Sequence, residues 1–141
     1  IVQAFVNGMR ANGVNINLCP LSNGSVQMAA AQTPESVALF VTYHTRESSA
    51  IQAAKILSSR KVPLFVITGP FKGMLSTYAQ EKVSVSIYEG EPKSVSISSR
   101  YAMSLILDIL YAYFYSIDLE KNERSIQERY NLAKGIIEGN H

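Results

Sequence analysis

The 141 residues, 47% apolar and 17% charged with a net charge of +2, have the size and composition of one ordinary globular domain with a real core. So small a charge, with Lys and Arg scattered, excludes a nucleic-acid footprint of the usual basic kind, and no zinc-finger or basic-region pattern accompanies it. A single cysteine, Cys19, excludes an intrachain disulfide and makes a reducing cytoplasm the expected compartment.

In chain order, Val2, Phe5, Val6 and Met9 recur at helical spacing and Gly13 supplies a stop. Val14 to Leu18 alternates apolar with polar residues, as a half-buried strand does, and Pro20 ends it. Cys19 then reads as a small apolar residue at a strand end, or as a reactive thiol. Ser22 to Gln32 reads as a short helix capped near Ser22 or Asn23, and Thr33-Pro34-Glu35 as a turn. Val37 to Thr42 is a continuous apolar run, which fits a central parallel strand covered on both faces. Glu47 or Ser48 opens a helix through about Ser59, with Ile51, Ala54 and Ile56 facing inward.

Pro63 to Thr68 is the next strand, broken by Gly69-Pro70. Met74 to Ala79 is weakly helical, and Val83 to Ile87 alternates as a final strand at the sheet edge. Glu89 to Lys93 is a polar turn. A long helix runs from Ser94 or Val95 to Ile117; Ser104, Asp108 and Ser116 interrupt it, so it lacks the roughly 18 unbroken apolar residues of a membrane span. A polar helix from Leu119 to Glu138 carries Ile126, Tyr130, Ala133 and Ile137 on one face. Alternation of helix and strand predicts an α/β sandwich with a mainly parallel sheet, and no linker or repeat divides residues 1–141. Ile1 to Gly13 has Gln3, Asn7 and Arg10 within it, unlike a signal peptide. The start at Ile1 in mid-pattern, without an initiator Met, leads to the expectation of a fragment.

Ligands of open parallel sheets bind beyond the carboxyl ends of the strands. Cys19-Pro20-Leu21, Thr42 to Ser49 and Thr68-Gly69-Pro70 should stand there. The middle segment is the richest: it joins a strand to a helix start, where free N–H groups and the positive helix end attract an anion. Thr45, Ser48 and Ser49 add hydroxyls and Arg46 a charged fork, a composition that suits a phosphate. The plainer use of the same residues is a helix cap by Ser48 or Thr45 with Arg46 in solvent. His44 as a general base has no orienting partner or nucleophile, His141 being terminal. Glu47, Glu89 and Glu91 read as exposed loop glutamates. No paired-His or paired-Cys spacing implies a metal, and no glycine-rich nucleotide fingerprint implies a cofactor; Gly69 and Gly73 are isolated turn signals.

Val37 to Ser59, "VALFVTYHTRESSAIQAAKILSS", resembles the second strand, phosphate loop and helix of SIS (sugar isomerase) domains, with Ala53-Ala54-Lys55 matching the helix. "PLFVITG", Pro63 to Gly69, resembles the following strand and its Thr-Gly turn. Ser98-Ser99-Arg100 leading into "YAMSLILDILYAYFY" is similar to the long helix of RpiR-type (RpiR/MurR) bacterial transcription regulators, and Thr33-Pro34-Glu35 fits the same family. The resemblance covers nearly the whole chain. It implies a three-layer αβα sandwich of flavodoxin-like type, with the first strand and its phosphate loop expected before Ile1.

By the same resemblance the domain senses a phosphorylated sugar without catalysis or cofactor, forms a homodimer or homotetramer, and reaches DNA through a helix-turn-helix domain outside this chain. The family loop reads Ser-x-Ser-Gly-x-Thr. Aligned without a gap, Thr42 keeps the first hydroxyl, while His44 replaces the second Ser, Thr45 the Gly and Glu47 the Thr. With a loop one residue shorter, Thr45 and Ser48 hold the hydroxyl positions and Arg46 the Gly. The implied ligand residues are therefore Thr42, His44, Thr45, Arg46, Glu47, Ser48 and Ser49, with Ser98 and Arg100 approaching from the long helix. Two other functions share the fold: a sugar-phosphate isomerase using His44 or Glu47 as base, and a dimerisation module with a lapsed ligand site. Tyr111, Tyr113, Phe114 and Tyr115 are too many large residues to face one core; a subunit interface or packing on the last helix would use them.

Overall fold

Two apolar runs and a polar third segment form a parallel sheet in the computed structural model, which describes residues 1–20, 22–86 and 97–138. The strands β1 (Ala38–Thr42), β2 (Leu64–Thr68) and β3 (Glu81–Ser84) lie side by side in that order. Phe40 stands opposite Val66, and Ile67 opposite Val83. Parallel neighbours need crossover connections, and helices α3 (Ser48–Ser59) and α4 (Leu75–Tyr78) occupy them. Helices flank the sheet, and the fold is mixed α/β, as expected. The chain divides into two compact units: a sheet unit, Cys19–Met103, and a helical unit of Ile1–Leu18 with Ser104–His141.

Within the sheet unit, α3 is built from alanine. Ala50, Ala53, Ala54 and Leu57 fall at i, i+3, i+4 and i+7, so one narrow face lies flat on the core, and all four are buried. They join Ala29, Phe40, Val62, Leu64, Val66 and Leu75 in one cluster, with half-buried Ile56 packed against it; Ile51 is half-buried. Helix α2 (Asn23–Ala30) packs on α3. Its N-cap is Ser22, as expected, but the Ser22 hydroxyl makes no cap bond. Instead Ser25 donates both its N–H and its hydroxyl to the Ser22 carbonyl, at 2.9 and 2.6 Å.

Helix α3 ends in a Schellman motif: Val62 N–H donates to the Leu57 carbonyl and Lys61 N–H to that of Ser58, both at 3.0 Å. Buried Val62 and Leu57 supply the hydrophobic contact that accompanies this turn.

Two sheet expectations are corrected. Among the described residues β2 lies between β1 and β3, so β1 has one strand neighbour there. Nor is β1 covered on both faces as its apolar run implied, since Leu39 remains 36% exposed on one of them. The last strand begins at Glu81, two residues before the alternation of Val83 to Ile87 suggested. An edge strand exposed throughout tolerates Glu81 and Lys82. Val85 follows the strand, buried, its N–H bonded to the Thr68 carbonyl at 2.8 Å. Ile87 and the expected turn of Glu89 to Lys93 lie outside the described residues.

The helical unit contains α1 (Gln3–Ala11), α5 (Ile97–Ile117) from Ser104 onward, and α6 (Leu119–Glu138). The bounds of α1 and α6 and the end of α5 agree with the periodicity. α1 also ends in a Schellman motif, with Gly13 at φ 82° in the left-handed position. Tyr111 lies on α1 at Gly8, where a β-carbon would come within 2.8 Å of its ring. Its hydroxyl accepts from Asn12 Nδ2 at 3.0 Å.

Arg129 of α6 donates from Nη1 to the last carbonyls of α1, Arg10 at 2.6 Å and Ala11 at 2.7 Å. α5 and α6 meet at 100°, and among the described residues no single helix is long and apolar enough to cross a membrane. Buried Asn122 braces their junction through the Tyr115 carbonyl at 2.9 Å.

Val14 to Leu18 is not a strand, which corrects the alternating pattern's implication. Val14 and Ile16 turn inward and Asn15 and Asn17 outward, but Leu18 is 44% exposed, so the period of two stops at Asn17. A ladder also needs a neighbouring strand, and among the described residues the Ile16 carbonyl bonds the Arg10 guanidinium instead, at 2.9 and 3.1 Å. Cys19 therefore follows no strand. It is half-buried, its thiol 3.4 Å from the Pro20 carbonyl.

Candidate functional site

The carboxyl ends of β1 and β2 are tied together by their following loops. The Tyr43 carbonyl accepts from Gly69 N–H at 3.1 Å and from the Thr68 hydroxyl at 3.5 Å. Gly69 is required there, since a β-carbon would lie 2.7 Å from that carbonyl and 2.8 Å from the Tyr43 ring. Above this tie, His44 and Phe71 stack at 5.4 Å between centroids, and Tyr43 meets both edge-on at 4.9 and 5.5 Å. His44 thus belongs to an aromatic staple between the two loops.

The candidate ligand residues of the β1–α3 loop come together, but their hydroxyls differ in availability. Thr42 spends its own on the His44 carbonyl at 2.8 Å. Thr45 is only 1% exposed, and among the described residues its Oγ1 has no hydrogen-bond partner. An unmade buried hydrogen bond of this kind costs about 1–3 kcal/mol. Gly73, in the loop after β2, closes over Thr45: a β-carbon at Gly73 would fall on the Thr45 hydroxyl and 2.7 Å from its Cβ. The isolated turn signals of Gly69 and Gly73 were the trace of this close approach in the sequence.

Arg46, Glu47 and Ser48 are exposed and Ser49 half-exposed around the start of α3. Neither Thr45 nor Ser48 caps the helix. The N-cap is Glu47, in extended conformation and with no side-chain cap bond. The first intrahelical acceptor, the Glu47 carbonyl, is taken by Ile51 at 3.0 Å; the N–H groups of Ser48, Ser49 and Ala50 precede it and point out of the helix start. This end carries the positive pole of a 12-residue helix.

Ser98 and Arg100 stand in the first turn of α5, both exposed, with Ser99 between them buried. Neither hydrogen-bonds to the β1–α3 loop among the described residues. No group of three or more His, Cys, Asp or Glu among the described residues could hold a metal. His141, Glu89, Glu91 and Leu21 lie outside the described residues.

No family model and no curated protein matches the chain. A solved structure does, that of the Vibrio vulnificus NanR protein complexed with ManNAc-6P. The chain has the fold of NanR. The TM-score is 0.82 over 95% of this chain, at 16% identity. The chain spans 50% of the length of NanR. At that identity the likeness to NanR is one of backbone, and the side chains of the β1–α3 loop must be judged on their own geometry.

Proposed function

We propose that the chain is the sugar-phosphate-sensing, non-catalytic SIS domain of a transcription regulator of RpiR type, one domain over residues 1–141. Its start of α3 stands at the carboxyl end of β1, in a fold that NanR shares and carries with ManNAc-6P bound; this pairing carries the reading. The phosphate lies at the N–H groups of Ser48, Ser49 and Ala50. The hydroxyls of Ser48 and Ser49 and the Arg46 fork complete its shell, and the exposed Glu47 carboxylate turns to solvent. Ser98 and Arg100 approach from α5 of the same or a second copy. The complete protein is a cytoplasmic homodimer or homotetramer that reads DNA through a helix-turn-helix domain outside this chain. Ligand binding acts by its differential affinity for two arrangements of that assembly.

A second reading, the lapsed ligand site, draws on the hydroxyls of Thr42 and Thr45, the one engaged and the other covered. A thermal-shift screen of the full-length protein against sugar phosphates, their parent sugars and inorganic phosphate separates the two. A ligand at about 100 times its Kd adds roughly 2.7 kcal/mol, a rise on the order of 5–15 °C. A rise with one sugar phosphate and not with its parent sugar is the expected result. No rise with any of them would leave the lapsed module. Turnover of a sugar phosphate would replace both with the isomerase.

A further inference from the structure

The connection from β2 to α4 passes over Thr45 without bonding to its hydroxyl. Its two ends are fixed: Gly69 is buried beneath Tyr43 and Leu75 is fully buried in the core. The stretch between, Pro70 to Met74, is exposed or half-exposed and contains no strand or helix, and it rests on the β1–α3 loop through the Phe71 ring stacked on His44. Its seat on Thr45 needs a glycine, because any β-carbon at position 73 would collide with the hydroxyl. Valine has the same shape as threonine and would fill the space under Gly73 without a buried, unpaired oxygen. A purely packing position gains nothing from the hydroxyl. A position that is uncovered in a second state does gain from it, because the oxygen then finds a partner.

We propose that Pro70 to Met74 is a cover closed over Thr45, which the bound phosphate displaces so that the Thr45 hydroxyl donates to a phosphate oxygen. The inference rests on the phosphate site read above at the start of α3, three residues further along the chain. It makes Thr45, a ligand residue the family resemblance already implies, one that is withheld in the free state, and it adds a moving element. Lys72 stands exposed on the same cover, so displacement carries a cation at the mouth of an anion site. The unpaired hydroxyl disfavours the closed state and the phosphate rewards the open one, so a small differential affinity suffices to shift the balance.

The test measures Kd for ManNAc-6P and for inorganic phosphate, together with the ligand-free Tm, on full-length protein. Thr45→Val should raise Tm by a few degrees and weaken binding roughly tenfold. Thr45→Ser, which keeps the hydroxyl, should hold the affinity close to wild type. Gly73→Ala, which props the cover, should lower Tm and tighten binding. Opposite signs in stability and affinity are the signature of a group withheld in the free state. Two outcomes would overturn the cover alone: Thr45→Val binding as well as a wild type that binds, or Thr45→Val losing stability and affinity together. Wild-type protein that takes up neither probe would instead overturn the phosphate site itself, and the cover with it.

Discussion

Lys61 holds a position that glycine usually fills. At φ 59° it is the only described residue other than glycine with positive φ, and it closes α3 as Gly13 closes α1. Its β-carbon crowds the following carbonyl oxygen there, at about 1–2 kcal/mol, whereas Gly13 has none to place. Lys61→Gly should therefore stabilise the protein by about 0.5–1 kcal/mol, read as a higher urea midpoint with unchanged slope. The converse substitution, Gly13→Ala, should destabilise, because the new β-carbon would lie 2.6 Å from an Arg129 nitrogen as well as in strained backbone. Thr45 makes the same point in side-chain terms. Its residue type was legible as a ligand hydroxyl or a cap, and its burial beneath Gly73 was not, because no local pattern reports which loop crosses over a residue.

Elements were legible where one face repeats. Ala50, Ala53, Ala54 and Leu57 announce α3 because helix geometry returns a residue to the same face after three or four steps; in the same way Ile126 to Ile137 announced α6. Strand bounds and partners were less legible. Alternation at Val14 to Leu18 describes one strand's faces, and pairing is a property of two. The Asn122 brace between α5 and α6 left no periodic trace either. Tyr115 at that junction gives a test of the element pair. Desolvation, then Glu123 and then Tyr111, push its phenol above the ordinary value of 10.0. The folded state thus holds that proton to higher pH than the unfolded chain. Its contribution is intact below about pH 10 and is lost as pH rises through the folded value. Tyr115→Phe should flatten the alkaline limb of stability against pH without moving the neutral plateau; an unchanged limb would assign the loss to other groups.

At the scale of the whole molecule, the outer face of α5 bears on assembly. Leu105, Ile109, Tyr113 and Ile117 follow one another at every fourth residue, and each is at least 58% exposed. Such a row forms a ridge of the kind that interlocks with another helix at roughly 50°. A homodimer of the kind proposed above would have this ridge to bury. Ile109→Glu should convert a dimer to monomers in sedimentation while shifting the monomer's own stability by no more than about 0.5 kcal/mol; a dimer of unchanged mass would move the contact elsewhere. The Arg129 clamp on the end of α1 bears instead on how the molecule is made. Its bond to the Arg10 carbonyl joins residues 119 apart, whereas the sheet unit runs unbroken from Cys19 to Met103. On the ribosome the sheet can close as soon as Met103 has emerged. α1, though synthesised before the sheet, must wait for Arg129 before its last carbonyls gain that partner, and for that interval its apolar face is what a chaperone would find.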